Sequence, residues 1–379
     1  MSGATAFSLL GDQVLYAVVP VMYAELGLST LQVGILLSAN RWVRLLTNEL
    51  AHRIAGSAHT KWFFVLAFVL GAMTTAAYSA TSSFTILLTA RLAWGLSWSL
   101  IRHIGVGAVM ADVPVEGAGR AMGIYNGISR AGSVAGLFGG AVLVDLVGFH
   151  GGMWILAAIS LLAIPLAVLG HTRSHFDEPI HKQPRQPISN RLAALGISLG
   201  AVGPGFVMST LGAILVTYVE GDALFTAATL TGALLGFRYL IDSALAPWLG
   251  GSFDKFGFRK ASTFYLACGG VALLAASLQP SAWVFVLLII IFFNCATALQ
   301  AGVAGGVSKL GSGPFARYVT ANDLGSAVGP LLAWIVIDQF KDPSYALALG
   351  GIVFVVSCLL TPHSIANSSG TKATRFHGS

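Results

Sequence analysis

Charge is what this sequence has least of. Only 9% of its 379 residues are Asp, Glu, Lys or Arg, while 55% are hydrophobic; soluble globular chains carry about 25% charge. That balance excludes a soluble domain and describes a polytopic membrane protein. Cysteine is nearly as scarce. Cys268, Cys295 and Cys358 sit in apolar stretches at unrelated spacings, which excludes a disulfide framework and a cysteine-based metal site. The loops hold no metal-ligand spacing, no phosphate-cradling glycine loop and no nucleophile motif, and are too short for a catalytic domain. Neither an enzyme nor a bound cofactor is expected. No arginine or lysine precedes Arg41, so the charged leader of a signal peptide is missing and the first apolar span is expected to be retained.

What the chain does have is a succession of apolar runs. A helix crossing the hydrocarbon core needs about 20 mostly apolar residues. Turn signals divide the sequence into about twelve such spans, near 4–26, 30–52, 61–79, 84–110, 120–146, 152–170, 192–219, 223–250, 260–278, 282–307, 318–338 and 344–361. Forty-five glycines suit helices that pack closely in lipid.

The basic residues between spans alternate in a way that supports this division. One set of loops and ends holds Arg53, Lys61, Arg120, Arg173, Lys182, Arg185, Arg191, Lys255, Arg259, Lys260, Lys309, Arg317, Lys372 and Arg375; the other holds only Lys341. By the positive-inside rule the first set, with both termini, is cytoplasmic. The net charge of +6 is therefore topological, and nucleic acid is not an expected partner.

Residues 171–191, rich in proline and mixed charge, read as a cytoplasmic linker. They divide the chain into a six-span half at 1–170 and a second at 192–361, followed by a cytoplasmic tail at 362–379. An internal repeat agrees. Residues 129–147 align without a gap on 322–340, placing Gly132, Ser133, Gly136 and Asp145 on Gly325, Ser326, Gly329 and Asp338.

The loop after the eighth span, "GGSFDKFGFRK", with Gly250, Asp254, Lys255, Gly257, Arg259 and Lys260, resembles the signature of the major facilitator superfamily of secondary transporters. "RLAWG", Arg91 to Gly95, is similar to that family's fourth-helix signature, which is often associated with proton coupling. The first-half counterpart of the loop, "NELAHRIA", departs from the pattern. Asn48 replaces glycine, His52 replaces aspartate and Ala55 replaces the second glycine, leaving Arg53. The fifth span, Gly123 to Gly140, looks like the glycine-rich antiporter signature but has Leu137 in place of its proline. The resemblance covers essentially the whole chain. It implies an all-α membrane protein of twelve helices in two pseudo-symmetric six-helix halves, with a cytoplasmic gate braced by the loop signatures. His52 there reads either as a pH-sensitive brace, since histidine titrates near neutrality, or as an ordinary interfacial histidine.

Ionisable groups inside spans are costly and face a bundle interior or a watery cavity. Arg41, Arg44, Asn48 and His52 follow spacings that place them on one helical face. Arg91 and Arg102 share a face of the fourth span with Gly95 and Ser99. Arg130 lies in the fifth span, while Arg238 and Asp242 in the eighth are four apart and positioned to pair. The acids within spans are fewer: Asp12, Glu49, Asp242 and Asp323. Two readings are open for the arginine surplus. Either each guanidinium pairs with a carboxylate or carbonyl to orient helices, or unpaired ones meet an anionic substrate, whose carboxylate or phosphate matches the planar fork.

The second reading gives Arg41, Arg44, Arg102, Arg130 and Arg238 as anion contacts. Tyr16, Trp42, Trp98, Tyr125, Tyr239, Asn294 and Gln300 are candidate wall residues. Arginine does not release its proton, so coupling falls to Asp12, then Asp323 or His103; for Asp12 a fixed salt bridge is the alternative. The expected function is secondary active transport of a small organic anion, such as a carboxylated or phosphorylated metabolite or a siderophore-like chelate. It is expected to be proton-coupled, in a bacterial inner membrane, and functional as a monomer. A proton-driven drug antiporter, or a transporter-like receptor without turnover, are the alternatives.

Overall fold

The computed structural model describes residues 1–55, 59–111, 117–171, 188–219 and 226–362. Most of the expected linker at 171–191 and of the tail at 362–379 lies outside the described residues. Among those residues the regular structure is entirely helical. The first half holds α1 (Ser2–Met22), α2 (Thr30–Ala55), α3 (Thr60–Ala80), α4 (Phe84–Ala111), α5 (Ala118–Val134), α6 (Gly140–Ser160) and α7 (Ala163–His171). The second holds α8 (Asn190–Gly200), α9 (Met208–Leu215), α10 (Ala227–Phe256), α11 (Phe258–Ser277), α12 (Ala282–Ser308), α13 (Ser312–Phe340) and α14 (Ser344–Ser357).

Local chemistry sets these boundaries. Ser189 and Thr226 cap α8 and α10 by accepting from the Leu192 and Thr229 backbone N–H groups, each at 3.3 Å. Gly257, at φ 82°, ends α10 and starts α11, a conformation that glycine adopts without steric cost. π-Helical turns join α5 to α6 (Ala135–Gly139) and α8 to α9 (Ala201–Val207).

Among the described residues eight stretches are long and apolar enough to cross a membrane. One of them, Arg120–Gly170, runs for 51 residues, about twice what a crossing needs, and Gly148 at φ 77°, ψ 166° folds it in two. α2 and α10 are long enough but carry charges, and α14 is apolar but has only 14 residues. The expected twelve crossings require the split at Gly148 and the inclusion of α2, α10 and α14.

Within the first half α2 packs on α4, α3 on α4 and α6, and α1 on α5 and α6; within the second α11 packs on α12 and α14, α10 on α12, and α13 on α8. The glycines of the internal repeat do the same work in each half. A Cβ at Gly136 would stand 2.7 Å from the Leu10 carbonyl, and one at Gly329 would stand 2.5 Å from that of Ala201. Both are places where helices touch through backbone, the small-residue packing expected in lipid.

The halves meet along α2 with α13 and along α5 and α6 with α10, while α1 lies against α9 and α10. The end of the bundle opposite the basic loops is shut. Trp334 is fully buried there, donating its Nε1–H to the Ser209 carbonyl at 3.1 Å and meeting the Tyr23 ring edge-on at 5.5 Å. Two carboxylates from equivalent repeat positions fasten the same end. Asp338 accepts from the Thr30 hydroxyl, and Asp145 from the hydroxyls of Thr226 (2.5 Å) and Thr229.

Candidate functional site

Below that seal lies a cavity of about 320 Å³. Its wall is made by Thr5, Leu9, Asp12, Gln13 and Tyr16 of α1, Asn40, Arg41 and Arg44 of α2, Trp94, Trp98, Arg102 and Val106 of α4, and Tyr125, Asn126, Ser129, Arg130 and Ser133 of α5. Among the described residues the second half supplies only Met208 and Tyr239. Arg102 and Asn126, toward the end that carries the basic loops, are the exposed polar members.

Asp12 is held from behind the wall in a buried ion pair. Arg91, 1% exposed, donates to the Asp12 carboxylate through Nη1, to the Tyr16 hydroxyl through Nη2 (3.1 Å) and to the Leu36 carbonyl through Nε (3.0 Å). The remaining capacity of Asp12 is taken by Gln13 Nε2 at 2.9 Å and Asn40 Nδ2 at 3.4 Å. Gln13 in turn accepts from the Tyr239 hydroxyl at 3.3 Å, so the network crosses to the second half. Such satisfaction is what a buried charge requires, since leaving one partner bare costs about 3–5 kcal/mol.

Two further ion pairs bridge the halves. Arg44 Nη2 stands 3.4 Å from Asp323 Oδ1, while its Nε is buried with no acceptor. Arg130 Nη1 stands 3.2 Å from Asp242 Oδ2, but off the hydrogen-bonding direction, so this buried N–H also lacks an acceptor. The pairing of Arg238 with Asp242 expected from sequence does not form. Asp242 faces Arg130 and the Thr297 hydroxyl, while Arg238 points Nη1 at Met208 Sδ (3.8 Å) and lies over the Phe293 ring at 5.9 Å. Four residues on a helix share a face, but the facing helices offered each side chain a closer neighbour.

Arg41 meets no carboxylate among the described residues. Its Nη1 donates to the carbonyls of Pro204 (2.9 Å) and Ser326 (2.6 Å), and its guanidinium lies 5.4 Å from the Tyr16 ring centre. The first acceptor lies on the π-helical turn Ala201–Val207. Arg102 makes no ion pair with any described residue, although it lines the cavity. Glu49, counted among the span acids, pairs with Arg53 at 3.1 Å in an exposed position and is not part of the cavity wall.

Of the residues singled out in the sequence, Asp12, Tyr16, Arg41, Arg44, Trp98, Arg102, Tyr125, Arg130 and Tyr239 come together on this wall. Arg238, Asn294, Gln300 and Trp42 do not. Asn294 spends its amide on the Ile290 carbonyl at 2.9 Å, one turn back on its own helix. Asp323 stands behind Arg44, and His103 binds the Ser99 carbonyl through Nδ1 at 2.8 Å. Sequence reasoning missed Gln13, Asn40, Asn126, Ser129 and Ser133. Asn40 was findable, since it stands four residues before Arg44; the serines were not, because serine on a membrane helix commonly bonds its own backbone, as Ser129 does to Tyr125.

The two gate signatures differ in structure as in sequence. In the second half Asp254 accepts from Lys309 Nζ at 2.9 Å beside the turn at Gly257, and Gly250 lets α10 approach Ala301 on α12. Lys255 lies over the Phe256 ring at 5.4 Å, and Arg259 lies on the first turn of α11. In the first half Asn48 accepts from Ser99 at 3.1 Å, and the His52 and His103 rings meet edge-on at 6.4 Å. Gly95 lets α4 reach the α2 backbone at Asn40. The first-half signature thus joins α2 to α4 through polar and aromatic contacts in place of the carboxylate.

The family model described as the Major Facilitator Superfamily matches residues 1–314. Over 360 residues the chain is 23% identical to an uncharacterized MFS-type transporter of Yersinia pestis (strain Pestoides F), covering 92% of this chain and 90% of that protein. Among solved structures it is similar in fold to a bacterial homolog of the human lysosomal transporter Spinster in an inward-facing and occupied conformation. That match has a TM-score of 0.72 and 16% identity, and covers 97% of this chain and 93% of that one. It is also similar to an auto-inhibited peptide transporter of the POT family, with a TM-score of 0.74, 11% identity and 94% coverage of both chains.

Proposed function

The chain belongs to the Major Facilitator Superfamily, whose members are membrane transporters and not enzymes, and from that premise we propose that it moves a small organic anion by alternating access, driven by protons. The observation that carries the anion is the fate of the arginines around the cavity. Asp12, Asp323 and Asp242 neutralise Arg91, Arg44 and Arg130 one for one, while Arg41 and Arg102 face the cavity without a carboxylate. Guanidinium groups in a low-dielectric cavity attract carboxylate or phosphate and repel cations.

Asp12 is the proposed proton carrier. Its carboxylate lies in the cavity wall, its partners are Arg91, Gln13 and Asn40, and Gln13 links it to Tyr239 across the interface between halves. Protonation weakens its hold on Arg91, and that change travels to the second half along the same hydrogen bonds. Asp323 and His103 remain second candidates.

In this reading the protein sits in a bacterial inner membrane with its basic loops and both termini in the cytoplasm, and the cavity opens inward. The seal at Trp334 is then the outer gate. Rocking of the two halves about the central site exposes it to either side. The chain is proposed to work as a monomer.

Uptake of radiolabelled carboxylates and phosphate esters into proteoliposomes, with and without an imposed pH gradient, tests this reading. Gradient-dependent uptake that falls in Arg41→Ala and Arg102→Ala is the expected result. Unchanged uptake in both variants overturns the assigned site, and transport of cationic dyes in place of anions overturns the class.

A further inference from the structure

We infer that the anion carries a hydroxyl group about one helical turn away from its charged group, and that Asn40 receives it. This rests on the anion reading above and narrows it to hydroxylated organic anions.

Three buried polar atoms that make no hydrogen bond belong to residues of the cavity wall: Arg44 Nε, Arg130 Nη1, which has only its off-direction approach to Asp242, and Asn40 Oδ1. Buried groups of this kind are nearly always satisfied, and each exception needs a reason. Two of the three are cationic donors that ask for anion oxygens. The third is a neutral acceptor, on a side chain only 5% exposed, and no anion oxygen can satisfy it.

The orientation of the Asn40 amide follows from its neighbour. Its Nδ2 faces the Asp12 carboxylate at 3.4 Å; the reversed amide would set oxygen against oxygen. Oδ1 is therefore the end left over, and it asks for a donor. An ammonium group is a poor occupant, because Asp12 is already held by Arg91 and the guanidiniums of Arg41 and Arg91 both lie 5.4 Å from the Tyr16 ring centre. A neutral hydroxyl supplies the proton without meeting that repulsion.

Spacing sets the shape of the ligand. Asn40 and Arg44 are four residues apart on α2, about 6 Å along the axis, with Asn40 nearer the sealed end. The hydroxyl therefore enters first and the charged group stays with Arg44, Arg102 and Arg130. A carboxylate and a hydroxyl separated by a few carbons meet that distance.

Three pairs of anions that differ only by a terminal hydroxyl, set three to five carbons from the carboxylate, test the inference: 4-hydroxybutyrate with butyrate, 5-hydroxypentanoate with pentanoate, and 6-hydroxyhexanoate with hexanoate. Each is titrated into the purified full chain in nanodiscs by calorimetry. In at least one pair the hydroxylated member is expected to bind about tenfold tighter, as sites built to bond a hydroxyl discriminate against analogues lacking it. Asn40→Leu and Asn40→Ser variants that keep a cooperative melt are compared by the ratio within that pair. The ratio is expected to fall to about twofold in Asn40→Leu and to recover in part in Asn40→Ser. Equal binding within every pair that binds, or a ratio that survives Asn40→Leu, overturns the hydroxyl while leaving the anion reading intact. Binding by none of the six anions overturns both.

Discussion

Arg130 and Asp323 occupy equivalent positions in the internal repeat but carry opposite charges, and each meets a residue of the opposite sign across the interface between halves. Arg130 faces Asp242 on α10 at 3.2 Å, and Asp323 faces Arg44 on α2 at 3.4 Å. The two halves thus hold each other by two ion pairs in which the equivalent repeat positions carry opposite charge.

Double-mutant cycles should show this. Truncating Arg44 and Asp323 singly and together is expected to give a coupling of about 1 kcal/mol in the thermal melt, within the usual range for contacting residues. The Arg130 and Asp242 cycle should give less, because the Arg130 side chain is 40% exposed against 15% for Arg44 and exposed pairs are screened. Equal couplings would contradict this ranking.

Arg102 should separate binding from stability. It makes no ion pair among the described residues, so Arg102→Ala is expected to leave the melting temperature unchanged and to weaken anion binding about tenfold, the loss of one charge-assisted contact. Calorimetry and a melt on the same preparation check both halves of the statement.

The buried pair of Asp12 with Arg91 should behave oppositely. Asp12→Asn leaves Arg91 without its counter-charge and is expected to cost about 3–5 kcal/mol, seen as a lower melting temperature and poorer yield. Pairing it with Arg91→Met should recover much of that stability while abolishing the response of transport to a pH gradient. Recovery of stability together with gradient-driven uptake would remove Asp12 from proton coupling.

Gly34 should control the outer seal. A side chain there would place its Cβ 2.7 Å from Trp334 Cβ, and Trp334 is fully buried with no free space to yield. Gly34→Val is expected to pry α2 from α13 and shift the population toward an outward-open state. Labelling of a cysteine placed at Tyr16, in a background without native cysteines, by a membrane-impermeant thiol reagent added outside should then accelerate several-fold.

The helical membrane architecture was legible in the chain because hydropathy, turn residues and loop charge are local properties. So was the repeat, whose equivalent glycines proved to make equivalent backbone contacts on α1 and on the π-turn before α9. The arginine excess also read through, and most residues chosen on the first-half spans share one cavity. Helical spacing alone fixes which side chains share a face, and the first half supplies nearly all of the wall.

Tertiary structure decided which partner each charge takes, and the sequence could not, because distance across an interface is not encoded in spacing along one helix. Arg238 lost Asp242 to Arg130 on another helix, and Glu49 stayed with Arg53 outside the cavity. Arg41 found carbonyls, one of them Pro204's on a π-turn. The sequence by itself determined that the chain crosses the membrane repeatedly and buries more positive than negative charge. Only packing selected Arg41 and Arg102 as the arginines that face the cavity without a carboxylate, since burial makes each acid bind the nearest guanidinium and leaves the rest exposed to whatever enters.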